Sequence, residues 1–160
     1  MSQASTPMST SRGYESPSVT QFSVFLPNRV GKMLELVKGF DDHLCRLCAL
    51  GVHDASDHAV VRLISSCADE CRKILSEQNL TFIETEILVV CVDETHSLTK
   101  MCQFLLGGEL NIRFSYPLMG WTGGPSAIAV AVDDLTLAAQ ILRRKEFRIL
   151  GEADLPKHGE

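Results

Sequence analysis

Four short stretches of this 160-residue chain hold side chains of the kind that do chemistry. The densest is His53-Asp54-Ala55-Ser56-Asp57-His58, where two imidazoles, two carboxylates and a hydroxyl could serve acid–base catalysis. Its neighbours read as strands, which puts it at a hairpin tip. Asp and Ser there usually bond the local backbone, so the segment reads as a solvated turn, with a place on the rim of a ligand seam as its remaining functional use. Cys45 and Cys48, with Cys67 and Cys71 farther on, offer four thiols to a zinc ion. Strand residues three apart point to opposite faces, and Cys67 and Cys71 fall on an apolar helical stripe, where a reduced thiol acts as a small hydrophobe. No metal and no cofactor is expected. His96 has no nucleophile assigned beside it and reads as a loop residue. Trp121, the only tryptophan, sits in Gly-Trp-Thr-Gly-Gly-Pro-Ser, which is either a lid over a ligand or a wide turn with its aromatic folded onto the surface. No phosphate loop or dinucleotide fingerprint occurs.

A different question comes from Phe-Leu-Pro-Asn-Arg-Val-Gly-Lys-Met-Leu, Phe25 to Leu34. Proline and asparagine lead into an apolar helical pattern, yet Gly31 sits where the first turn should be. Glycine inside a helix costs about 1 kcal/mol relative to alanine, so a bare backbone at this point needs a reason.

The elements that position these residues follow from periodicity. Strand, helix, strand, strand, helix, strand run from Val19, and the six recur after about 67 residues. Val30, Met33, Leu34 and Val37 define the first helical face, and Cys67, Cys71, Ile74 and Leu75 the second, with Ser66 as its N-cap. Leu-Thr-Phe-Ile-Glu-Thr-Glu closes the first unit, and Ile-Leu-Val-Val-Cys-Val-Asp opens the second. Leu98, Met101, Cys102 and Leu105, then Leu135, Ala138, Ala139 and Leu142, supply its helical faces. The fold expected is α+β: two ferredoxin-like βαββαβ units in tandem, antiparallel sheets with the helices on one face. Each unit would leave an edge or face uncovered, which predicts an interface between the copies, side by side or face to face. Residues 1–18 read as a disordered arm, 19–85 as the first unit, 86–155 as the second and 156–160 as a tail.

Composition excludes several classes. A formal charge of −5 argues against a phosphate-coating nucleic-acid binder, and no apolar run approaches the roughly 20 residues that span a bilayer. The start of the chain lacks the apolar stretch of a secretory signal, so the six cysteines are expected reduced, in the cytoplasm.

Phe-Ser-Val-Phe-Leu-Pro-Asn-Arg-Val-Gly-Lys-Met-Leu-Glu-Leu-Val-Lys-Gly-Phe, followed by the hairpin Leu-Cys-Ala-Leu-Gly-Val-His-Asp-Ala-Ser-Asp-His-Ala-Val-Val-Arg-Leu-Ile, resembles an ACT domain. Residues 19 to 155 resemble two in tandem. Pro27, Asn28 and Gly31 carry the likeness; the second copy has Asp93 and Glu94 in the corresponding loop but no glycine. The resemblance implies a regulatory module that binds a small ligand, often an amino acid, at the seam between paired units, and implies no catalysis.

If Asn28 caps the helix, Gly31 falls at its third position, where the N–H lacks an intrahelical partner and the helix dipole favours an anion such as a ligand carboxylate. Arg29 and Lys32 would add attraction, and the ligand ammonium would need Asn28 or an acid across the seam, for which Asp93 and Glu94 are the candidates. The ligand-binding set is Pro27, Asn28, Arg29, Val30, Gly31, Lys32, Asp93 and Glu94. Close packing of the helix on the neighbouring unit is the other use for Gly31.

The function expected is non-catalytic sensing of an amino acid or similar ligand, by a homodimer or with a separately encoded biosynthetic enzyme. A structural assembly domain without ligand is the alternative, and a small enzyme built on His53 to His58 or a cysteine a lesser one. RNA binding shares the βαββαβ order but needs exposed aromatics on its third strand, and neither Ala-Val-Val-Arg-Leu-Ile-Ser-Ser nor Ala-Ile-Ala-Val-Ala-Val-Asp-Asp has one.

Overall fold

The computed structural model describes Met8–Thr10, Gly13–Glu15 and residues 18–158. Within the segment expected as a disordered arm, strands β1 (Met8–Thr10) and β2 (Gly13–Glu15) pair antiparallel, while the other residues of 1–17 lie outside the described residues.

From Val19 the order is β3 (Val19–Pro27), α1 (Lys32–Lys38), β4 (Leu47–Ala55), β5 (His58–Ser65), α2 (Ala68–Glu77) and β6 (Thr81–Cys91). It continues with α3 (Leu98–Gly107), β7 (Ile112–Pro117), β8 (Ala127–Val132), α4 (Leu135–Arg144), β9 (Ile149–Leu150) and a short 3₁₀ turn, Glu152–Asp154. The larger strands form one seven-stranded antiparallel sheet in the order β4-β5-β3-β6-β8-β7, with β9 also on β6.

Strand β6 belongs to both halves. Its residues Thr81 to Ile87 pair with β3, and Leu88 to Cys91 pair with β8, with Val89 and Val90 also bonded to β9. The unit boundary expected after Thr85 therefore falls inside a continuous strand. The change from Leu-Thr-Phe-Ile-Glu-Thr-Glu to Ile-Leu-Val-Val has another cause: from Ile87 to Val90 both faces of β6 are buried, so alternation gives way to a continuous apolar run.

Strand periodicity sorts the side chains into three cores. Phe22, Val24 and Leu26 of β3, with Val61 and Leu63 of β5, pack on Leu36, Cys71, Ile74 and Leu75 of α1 and α2. Leu88, Val90, Val130 and Val132 pack on Met101, Leu105, Ala138 and Leu142 of α3 and α4. Between them the opposite sheet faces meet: Val19, Ala49, Ile64 and Ile87 against Tyr116, Ala127, Ala129 and Leu150. Helices, half-sheet, half-sheet and helices make four layers, and the halves meet face to face.

Polar bonds pin this seam. The Tyr116 hydroxyl donates to Gln21 Oε1 at 2.8 Å in the buried interior, and Met119 N–H donates to the Cys48 carbonyl at 2.8 Å. Glu152 reaches back from the end of the second half to accept from Ala68 N–H at 2.5 Å, capping α2. That role was expected of Ser66, whose hydroxyl instead accepts from Arg46 N–H at 2.9 Å. The N-cap of α2 is Cys67, which makes no side-chain cap bond.

Two helical faces are turned from the expected register. Helix α1 begins only at Lys32, so its buried side is Leu36, with Phe40 just beyond, while Val30 and Leu34 are exposed. On α3, Met101 and Leu105 are buried as expected, but Leu98 and Cys102 face outward.

Candidate functional site

The Pro27–Lys32 turn is built where β3 runs off the sheet. Arg29 N–H donates to the Pro27 carbonyl at 2.8 Å, a tight reversal made straight after the proline. Gly31 then takes φ 89°, ψ −13° and is itself the N-cap of α1, its carbonyl accepting from Glu35 N–H at 3.1 Å. Asn28 makes no cap bond, so the expected cap at Asn28 with Gly31 inside the helix is corrected. The left-handed conformation answers the glycine question: a side chain there would be strained whatever the space around it.

The space itself is open. A Cβ added at Gly31 would meet nothing within 4 Å, so no helix packing requires the glycine. Pro27 to Gly31 are all exposed, and Val30 protrudes fully into solvent at 107% relative exposure. The Lys32 ammonium is held by Glu35 Oε2 at 2.9 Å on its own helix. Gly31→Ala is expected to lower stability by about 1–2 kcal/mol through backbone strain alone, and Gly31→Asn by less, since asparagine tolerates this region. Urea denaturation of the two variants checks it; equal losses would point to a cause other than backbone conformation.

Asp93 and Glu94 do not join this turn within one chain. Phe25 lies opposite Thr81 and Val19 opposite Ile87, so β3 ends where β6 begins. The run from Thr81 to Cys91 is on the order of 34 Å, with Asp93 beyond its far end. Asp93 serves its own loop: its Oδ1 accepts from His96 N–H at 2.6 Å, and that bond holds its carboxyl below the usual carboxylate range. Glu94 is exposed. The second-half loop closes conventionally, with Ser97 capping α3 by accepting from Lys100 N–H at 3.3 Å.

What does lie beside the turn is the hairpin tip. Pro27 pairs with His58, whose Nδ1 is 2.6 Å from Asp57 Oδ1 and whose ring lies 5.8 Å from that of Phe25. The His58 hydrogen bond lowers the pKa of the exposed Asp57 carboxyl. On sequence these two residues belong to a solvated turn; the antiparallel pairing of β3 with β5 is what joins them to Pro27.

The thiols stay apart from such chemistry. Desolvation pushes Cys48 and Cys71 up to about 12, so both remain thiols at neutral pH. Among the described residues no three His, Cys, Asp or Glu side chains converge as a metal site needs. A cleft of about 380 Å³ lies by Cys45 and Cys67, its wall carrying the His43–Glu70 pair at 2.7 Å. Trp121 folds over Gly124, where an added Cβ would strike its ring.

Solved structures share this fold. The protein BT0572 from Bacteroides thetaiotaomicron superposes with a TM-score of 0.77 at 21% identity, over 86% of this chain and 95% of that one. The regulatory subunit of aspartate kinase from Thermus thermophilus, in a ligand-free form, gives 0.57 at 11% identity over 81% and 93%. A structure of aspartokinase alpha and beta subunits gives 0.52 at 12% identity over 80% and 91%. No protein-family model and no curated protein matches the sequence. No helix among the described residues is long and apolar enough to cross a membrane.

Proposed function

We propose that the chain is a non-catalytic regulatory module of two ferredoxin-like, ACT-type units, residues 19–85 and 86–155, that share β6 and sense an amino acid or similar small ligand. The observation that carries this reading is the open turn at Gly31, unfilled by any side chain and flanked by a fully protruding Val30. A single chain gives such a turn one wall only. A ligand held by Pro27, Asn28, Arg29, Val30, Gly31 and Lys32 therefore needs a second surface, which we assign to another copy of the chain or to a separately encoded enzyme. In a paired assembly Asp93 and Glu94 would come from the other copy. Likeness to a regulatory subunit of aspartate kinase supports sensing over catalysis.

A thermal-shift screen against the twenty amino acids, followed by sedimentation with and without the hit, tests this. A ligand at 100 times its dissociation constant should stabilise the folded state by about 2.7 kcal/mol, several degrees for a chain of this size. Asn28→Ala should abolish the shift without altering the unliganded midpoint. Gly31→Ala is a poor control, because its strain lowers the midpoint by itself. A flat screen with concentration-dependent dimerisation would instead favour a ligand-free assembly domain.

A further inference from the structure

We infer that the seam between the half-sheets holds a second binding site, distinct from the Pro27–Lys32 turn, for a small carboxylate with an apolar body, and that Arg62 is its anchor. Arg62 projects from β5 on the face that meets the second half, with Ser23 and Gly51 as its cross-strand neighbours. Its guanidinium carbon lies 3.6 Å from the centre of the Phe114 ring, which belongs to β7 of the other half. Stacking of this kind fixes the plane of the guanidinium and satisfies none of its in-plane N–H donors. Nε and Nη1 are buried and have no hydrogen-bond partner. Buried donors on a charged group are rarely left so, and an unmatched pair marks a place for an acceptor the protein does not itself supply.

The surroundings say what kind of acceptor. The polar groups alongside are engaged with one another: Tyr116 donates to Gln21 Oε1 at 2.8 Å, and Gln21 Nε2 donates to Ser23 Oγ at 3.0 Å. Alternation places the acids of the adjoining strands, Asp54, Glu84 and Glu86, on the opposite face, where Glu84 pairs with Arg72 of α2. The strands that flank Arg62 thus give its cation no carboxylate on this face. Gly51 leaves room beside it, since a Cβ there would meet only His53 Nε2 and Tyr116 Cγ, both at 3.9 Å. On the same face Val60 and Phe25 form the next row outward, and Ile83, 56% exposed, lies level with Arg62 on the far side of Ser23. A ligand with its carboxylate on Arg62 would lay an apolar group across these three side chains. Ser23, opposite Arg62, is four residues from Pro27, about 13 Å along β3, and Phe25, under the ligand's apolar end, is two residues from it, about 7 Å, so the two sites are neighbours that share no residue.

The test uses the full chain and three probes: 3-phenylpropionate, its neutral amide, and acetate. Titrations are followed by NMR at the amides of Phe25, Val60 and Arg62. 3-Phenylpropionate should give saturable shifts at all three, with the amide at least about tenfold weaker because it lacks the charge that the guanidinium pairs with. Acetate should move Arg62 alone, more weakly. Arg62→Met should remove binding of the acid, Arg62→Lys should weaken it, and Asn28→Ala should leave it unchanged. Acid and amide binding equally, full binding by Arg62→Met, or no saturable shift with any probe would each overturn the proposal. The comparison of acid with amide is made on the wild-type chain, so it decides even if Arg62→Met fails to fold.

Discussion

Replacing Ile87 by alanine is expected to destabilise the whole chain by about 2–5 kcal/mol and to do so in one transition. Ile87 is fully buried in the seam core, opposite Val19, at the point where β6 passes from β3 to β8. Loss of its side chain opens a cavity between two packed sheet faces that backbone pairing on both sides keeps from collapsing. The backbone of one strand completes both halves, so neither half can lose β6 and remain paired. Trp121 fluorescence reports the second half, and hydrogen exchange at Val61 and Leu63 the first. Both should move together in urea, with a single midpoint shifted downward. Two separated transitions would show that the halves are independent despite the common strand.

Tyr116→Phe is expected to cost about 1–3 kcal/mol, although it removes one oxygen atom. Gln21 is completely buried, and Tyr116 is the donor to its Oε1. Without the hydroxyl that oxygen is stranded between the sheets. Burial also pushes the Tyr116 phenol up, so it is a neutral donor across the ordinary range of pH. Adding Gln21→Leu to Tyr116→Phe should recover part of the loss, because the stranded acceptor goes with it. Chemical denaturation of both single variants and the double variant gives the coupling; strictly additive losses would mean that the bond does not join the halves energetically.

The strand and helix order was legible because each element carries its own period, and the turn around Ser56 carries the residues expected of it. What failed to show in the sequence was long-range. Glu152 caps α2 from 84 residues away, and no local pattern announces it. Val30 fits a helical stripe on paper, but the left-handed Gly31 after it sets the helix start two residues later. Read as a tandem repeat, the sequence puts Asp93 and Gly31 in corresponding loops, where they look like partners. A common strand running antiparallel to β3 instead sends those loops to opposite ends of the molecule. Arg62 is indistinguishable in sequence from any ordinary strand residue, since its unmatched donors exist only once Phe114 has closed over it.

Continuity of β6 also has a mechanical consequence. Between Glu86 and Ile87 there is no hinge, only hydrogen-bonded backbone, so any change of twist imposed at one end is carried through the same eleven-residue rod to the other. The two tips of that rod lie far apart, with the β3–α1 turn beside one and the β6–α3 loop at the other. Cutting the gene between the two halves would not liberate two modules; it would leave two sheets, each missing part of its central beam.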